Sequence, residues 1–310
     1  MKQITKTILM IRPVAFRMNE QTAVNNYFME DLAMKNQAIN QAAQKEFDSF
    51  VEVLRSHNIE VIVIEDNLKN DTPDSIFPNN WISFHANGTV VLYPMFAENR
   101  RKERREDILD TLENRGFHIE QIVDYTSAEK EGIFLEGTGS ILMDRFNEKV
   151  YCALSARAHE ELVIEFCEDF ECTPVIFNAY QTVEDKRLPI YHTNVMMCLG
   201  ENYAVICLDS IDDKKEKKNV LNHLKKDGKE IITITEEQMH HFAGNMLQVA
   251  DSNEQRYLVM SSAAYNSLTA EQLSTLEKYN PILHSSLDTI ETCGGGSARC
   301  MMAEVFLPRN

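Results

Sequence analysis

Glycine is scarce in this sequence, 11 of 310 residues, and tryptophan occurs once. Basic residues are in deficit too: 31 Lys and Arg stand against 48 Asp and Glu, a formal net charge of −17. Phosphate binding needs a basic footprint, so this balance argues for no nucleic acid and no anionic membrane as partner. No apolar run approaches the ~18 residues of a membrane-spanning helix. The opening MKQITKTILMIRP lacks the apolar stretch and small-residue cleavage site of a secretory leader. Cys-x-x-Cys does not occur, and the seven cysteines lie mostly in apolar, strand-like or helical contexts. That pattern reads as reduced, buried thiols in a cytoplasmic protein. Cys293 and Cys300, like the adjacent His240 and His241, match no familiar zinc spacing, so no metal and no other cofactor is expected.

What the sequence does have is a repeat. NNWISFHANGTVVLYPM, EGTGSILMDRFNEKVYCALS, HTNVMMCLGENYAVICLDS and GNMLQVADSNEQRYLVMSS share one layout. Each opens on small or polar residues, runs through a short apolar strand, turns at Asn or Gly, and continues in a second strand, the pattern of a β-hairpin. Asn80, Gly137, Asn194 and Asn245 mark equivalent places at intervals of 57, 57 and 51 residues (80 to 137, 137 to 194, 194 to 245), and one further interval of 51 reaches Gly296. A helix-patterned stretch and a short apolar segment follow each hairpin. The opening fits the same cycle, with TILMIRPVAF, the helical AAQKEFDSFVEVLRSHN and IEVIVI. The run ENRRKERRED reads as a mostly solvated helical face with room for one inward arginine.

The predicted architecture is therefore an α/β fold of ββαβ units repeated about five times, the last closing on the first. No Pro-, Gly- or Ser-rich linker interrupts it, so residues 1–310 read as a single domain. A ring of such units brings its equivalent turns to one centre, and those turns carry Asn80, Glu136, His192 and Cys300. Three consecutive glycines, Gly294 to Gly296, lead to Cys300 despite the general scarcity of that residue. Such a run lets the backbone take left-handed angles and approach a neighbour closely. A thiol nucleophile needs a histidine to manage protons and a carboxylate to orient it, and Cys300, His192 and Glu136 supply all three.

FLEGTGS, YHTNVMM and CGGGSARCMM, with PDSIFPNNW upstream, resemble in the same order the motifs of the amidinotransferase and arginine deiminase superfamily, the penteins. The set most similar is the citrulline-utilisation hydrolase group. The resemblance spans nearly the whole chain. It implies a five-bladed α/β propeller and a metal-free Cys-His-Glu site acting on guanidino or ureido groups. Cys300 matches the nucleophile, His192 the general acid and base, and Glu136 the acid of the Glu-Gly motif. Arg100 (or Arg101) and Arg157 are nearest to the arginines that hold a substrate α-carboxylate in relatives.

The sequence departs from the guanidine-modifying pattern at two places. Relatives usually carry a carboxylate where Asn80 stands, beside Asn79, and often an aspartate where Asn194 stands. A desolvated guanidinium needs an opposing charge, whereas amides offer both donors and acceptors and suit a neutral ureido group. Asp74 is the remaining carboxylate nearby, and Phe77 and Trp81 are candidates to wall the pocket. The expected function is hydrolysis of a small amino-acid substrate, citrulline, to ornithine and carbamate through an S-carbamoyl enzyme. The alternatives are arginine deiminase, arginine dihydrolase or amidinotransferase chemistry, and a non-catalytic binding member of the fold. The polar stretch DYTSAEKEG is a candidate cover for the cleft. A homodimer is one assembly the sequence allows.

Overall fold

The structure, a computed structural model, describes residues 2–309. Five three-stranded sheets carry the repeat, and all are built alike. In one, Ile82–Phe84 pairs antiparallel with Thr89–Leu92, which pairs parallel with Gln121–Asp124. Ile141–Asp144, Lys149–Leu154 and Thr173–Asn178 repeat the pattern, as do Met197–Leu199, Tyr203–Ile206 and Glu230–Thr233. Leu247–Ala250, Arg256–Ser261 and Ile282–Ser285 form the next. The last sheet joins the two ends of the chain. Ala303–Glu304 runs antiparallel to Thr7–Arg12, which is parallel to Glu60–Glu65.

Tight turns suffice for the antiparallel pairs, whereas a parallel neighbour needs a crossover. Each unit makes that crossover through a helix: Asn36–Ser56, Asp107–Asn114, Glu160–Asp169, Lys214–Lys226 and Ala270–Glu277. Asn36–Ser56 buries Ile39, Ala43, Phe47, Phe50, Val51 and Leu54, the three- and four-residue spacing of one helical face. Lys214–Lys226 buries only Val220 and Leu224, and the Asp213 carboxylate caps its start by accepting from the amides of Lys215 and Glu216. Strands Met197–Leu199 and Tyr203–Ile206 are buried throughout, so they lie inside the core rather than at its surface. Met196, Met197, Met301 and Met302 are fully buried with them. Among the described residues no helix is long and apolar enough to cross a membrane.

The basic run is not one solvated helix. It breaks into a 3₁₀ turn, Arg100–Glu103, ahead of the helix Asp107–Asn114. The cause is inward pairing: Arg100 is 2% exposed and Arg104 donates to the Tyr93 carbonyl and to Glu129. A further hairpin, Tyr180–Val183 with Lys186–Pro189, is inserted before His192.

One local feature positions the chemistry. Short helical turns, Pro78–Asn80, Gly137–Ser140 and Thr193–Met196, precede the first strand of three sheets. Glu136 and His192 stand at the start of two of these turns, and neither side chain caps its own helix. Both are therefore free to reach each other.

Candidate functional site

Glu136 is fully buried and His192 is 1% exposed. Their contact, Glu136 Oε2 to His192 Nε2, is 2.8 Å. The same carboxylate oxygen lies 3.5 Å from Arg157 Nη1, and Oε1 accepts from the Phe96 amide at 3.0 Å. Burial alone would push the Glu136 carboxyl up, but the charge of Arg157, the bond to His192 and Arg100 together bring it down to about 2. Burial likewise presses His192 down, to about 4, against the raising effect of Glu136 and with Arg157 and Arg100 lowering it further. At neutral pH the pair is therefore a carboxylate and a neutral imidazole. A carboxylate only accepts, so Nε2 carries the ring hydrogen and Nδ1 keeps its lone pair.

Cys300, 3% exposed, lines the same cavity as His192. Two amides face its sulfur, Asn194 Nδ2 at 3.4 Å and Asn245 Nδ2 at 3.2 Å. The Arg299 amide donates to Asn245 Oδ1 at 3.0 Å, which fixes that side chain with its NH₂ toward the sulfur. Such donors stabilise negative charge on sulfur without adding a cation. The glycine run explains itself here. A Cβ on Gly294 would fall 2.8 Å from the Phe77 ring, and one on Gly295, whose φ is +57°, would fall 2.5 Å from Asn26 Nδ2. Only bare backbone lets Phe77 and Asn26 close against the loop that presents Cys300.

Of the residues expected from sequence, Cys300, His192, Asn80, Phe77, Asp74, Arg100 and Arg157 line one cavity. Glu136 stands behind His192, and Asn194 behind the sulfur. Asn79 lies outside the lining, its Oδ1 accepting from Asn80 Nδ2 at 3.1 Å. Trp81 is 1% exposed and also outside it, packed in the core. Arg100 is held by Glu103 at 2.9 Å through both Nε and Nη2, by Asn80 Oδ1 at 2.7 Å and by the Phe77 carbonyl at 3.1 Å. Arg101 turns away, donating to the Met95 carbonyl at 3.0 Å. Asp74 Oδ2 accepts from Asn19 at 2.8 Å and Thr22 at 3.0 Å, while its Oδ1 is buried with no partner.

The cavity is only about 10 Å³, room for a single water and not for an amino acid. It is closed by residues 19–30 and not by DYTSAEKEG, which forms the 3₁₀ turn Thr126–Glu131 tied down through Glu129 and Arg104. Arg157 donates to the Thr22 carbonyl at 2.8 Å and to Asn25 Oδ1 at 2.9 Å. Asn26 Nδ2 reaches the Gly294 and Gly295 carbonyls, and Phe28 packs edge-on against Tyr191. Sequence periodicity gives no sign of this cover, because its contacts are scattered polar bonds and the ring of Phe28. Asn245 is the exception among residues outside the expected set, since the repeat itself marks it.

The family model for N,N dimethylarginine dimethylhydrolase, eukaryotic, matches residues 12–307. Among solved structures, apo ArgZ, an arginine dihydrolase from the ornithine-ammonia cycle in cyanobacteria, aligns with a TM-score of 0.73 at 16% identity. That match covers 98% of this chain and 41% of ArgZ, so the chain spans well under half of that protein. The N-terminal domain of ArgZ bound to substrate aligns at TM-score 0.72 and 17% identity, covering 97% of this chain and 99% of the domain. A dimethylarginine dimethylaminohydrolase adduct with S-methyl-L-thiocitrulline aligns at TM-score 0.61 and 13% identity, covering 97% and 99%. At these identities the structural matches establish a shared fold. Among curated proteins, none matches the chain significantly.

Proposed function

The chain belongs to the N,N-dimethylarginine dimethylhydrolase family of the pentein superfamily, and from that membership we propose a cysteine-dependent hydrolase of a ureido or guanidino amino acid, with citrulline the favoured substrate. The observation that carries this reading is the buried 2.8 Å Glu136–His192 pair opening on the same cavity as Cys300. In this reading residues 1–310 are one domain, and the five sheets are the blades of a propeller whose hub is the site.

Neutral His192 takes the Cys300 thiol proton through Nδ1, and Glu136 supports the imidazolium that forms. The sulfur attacks the ureido carbon, and nearby amides support the oxygen as it gains charge. The carbon–nitrogen bond to the δ-nitrogen breaks as His192 returns the proton to that nitrogen, giving ornithine and an S-carbamoyl enzyme. Water then attacks the carbamoyl carbon while His192 accepts its proton. Carbamate leaves, falling to ammonia and carbon dioxide, and the thiol is restored. Arg157 is the better placed of the two arginines to take the substrate α-carboxylate, because its side-chain hydrogen bonds go to the cover and Glu136 stands off at 3.5 Å, whereas Arg100 is bonded twice to Glu103 at 2.9 Å.

A second reading, arginine dihydrolase chemistry, is favoured by one observation: Asp74 Oδ1 is a buried carboxyl oxygen with no hydrogen-bond donor, although Oδ2 lies 3.9 Å from Arg100 Nε, and it could accept from a guanidinium. The structural relative ArgZ is named for that activity. Incubation with citrulline and with arginine separately, assaying ornithine, citrulline and ammonia, decides, with Cys300→Ala as the blank. Ornithine from citrulline alone supports the first reading. Ornithine from arginine without free citrulline establishes the second, and citrulline accumulating from arginine refutes both.

A further inference from the structure

At the other end of the sheets from Cys300, where the hairpins turn, lies a cavity of about 330 Å³. Its lining includes His85, Met143, Arg145, Phe166, Phe170 and Cys172. That volume is within the ~300–1,000 Å³ of small-molecule sites. The catalytic residues come just before the first strands, whereas Asn87 and Arg145 of this cavity come just after them.

Arg145 is the unusual member. It is 8% exposed, yet among the described residues no carboxylate comes within ion-pair distance of it. Its side chain makes one long hydrogen bond, Nη1 to His85 Nδ1 at 3.4 Å. That histidine supplies no counter-charge, since burial first and Arg145 second hold it well below its ordinary range and therefore neutral. Glu304 is engaged by Arg299 at 2.9 Å. Of the other charged lining residues, Lys149 pairs with Asp227 at 2.6 Å and Asp144 with Lys229 at 3.0 Å, while Asp169 and Glu171 stand exposed without an ion pair among the described residues. Phe306 covers one face of the guanidinium, its ring centre 4.1 Å from Cζ. A ring face accepts from none of the five N–H donors in the guanidinium plane, and His85 takes only one of them. A buried guanidinium without an anion is costly, so this one is poised for an anion brought from outside.

The walls decide which anion. Phe166 and Phe170 stack at 4.5 Å, and His85 lies tilted against Phe170 at 4.5 Å, making one side of the cavity aromatic. Asp169 and Glu171 at the rim oppose a second negative charge on the ligand. We propose that this cavity binds a small monocarboxylate with a flat apolar body, its carboxylate on Arg145 and its body against Phe166 and Phe170.

Sodium benzoate is the probe, titrated into the whole chain by calorimetry. The expected result is saturable binding of one benzoate, with no saturable binding of inorganic phosphate at matched ionic strength. Arg145→Met should weaken benzoate by about tenfold or more, the loss of a paired carboxylate. If that variant does not fold, the wild-type protein still tests the site: saturating benzoate should slow alkylation of the half-buried Cys172 and leave that of Cys300 unchanged. Absence of saturable binding, equal affinity in Arg145→Met, phosphate binding in place of benzoate, or protection of Cys300 rather than Cys172 would each overturn the proposal.

Discussion

Glu136 Oε2 sits 2.8 Å from His192 Nε2, and it is the carboxylate, not the imidazole, that holds the charge at neutral pH. His192 is depressed from 6.5 to about 4, so activity should be flat down to moderately acid pH and fall as His192 takes a proton. Glu136→Gln removes the groups' mutual support, which raises His192 in the native protein. The acid limb should then move to lower pH while kcat drops by about 10²- to 10⁴-fold, as a pH–rate series would record. Linkage has the same sign for stability. The unfolded chain protonates His192 first, so its contribution is complete above pH 6.5 and is lost as pH falls through about 4. The slope of the urea midpoint over that window should be smaller in His192→Asn than in the wild type.

The two amides on Cys300 predict a graded effect. Asn194→Ala and Asn245→Ala should each slow alkylation of Cys300 at neutral pH, by about 3- to 30-fold, because a charge-assisted bond to sulfur is lost. Near-UV circular dichroism should stay native, and an unchanged alkylation rate in both would show that neither amide supports the thiolate.

Gly139 has no side chain for a steric reason. A Cβ there would lie 2.4 Å from Asn80 Nδ2 and 2.8 Å from His192 Nδ1. Gly139→Ala should cost about 1–3 kcal/mol of stability by overpacking. It should also lower kcat by more than that loss explains, because the imidazole is displaced. Denaturant titration and steady-state assay on one preparation check both parts.

Asp74→Asn separates charge from shape. If a guanidinium is bound against Oδ1, KM for arginine should rise about tenfold or more while KM for citrulline changes little. Thr22→Val, which removes the hydroxyl's contacts with Asp74 and with the Asn19 carbonyl while leaving the Asp74 charge, is the control and should move both substrates together.

Much of this was legible in the sequence, for reasons that differ by element. The hairpins were legible because a buried strand pair has a short apolar signature and a polar turn, as in Ile141–Asp144 and Lys149–Leu154. Near-regular spacing, 57, 57 and 51 residues, then marked Asn80, Asn194 and Asn245 as equivalent. One inward arginine was expected in the basic run, but the break of its helix at Arg100 was not legible, since the pairing with Glu103 that turns both residues inward leaves no mark in the charge pattern. Nor was the cover, whose Thr22, Asn25 and Asn26 act through a few polar bonds to distant loops. Cys172, expected among the buried thiols, is only half-buried because it borders the second cavity.

The bonds from Arg157 to Thr22 and Asn25 carry a consequence for molecular discrimination. Every hydrogen that this guanidinium spends on holding the doorway shut is one it cannot offer to a visitor. Under the role proposed for Arg157, an incoming acid group that captures it also undoes the fastening, making admission and recognition a single event. Amines and ureas without that acid group meet a fastened door, however well they would suit the thiol beyond it.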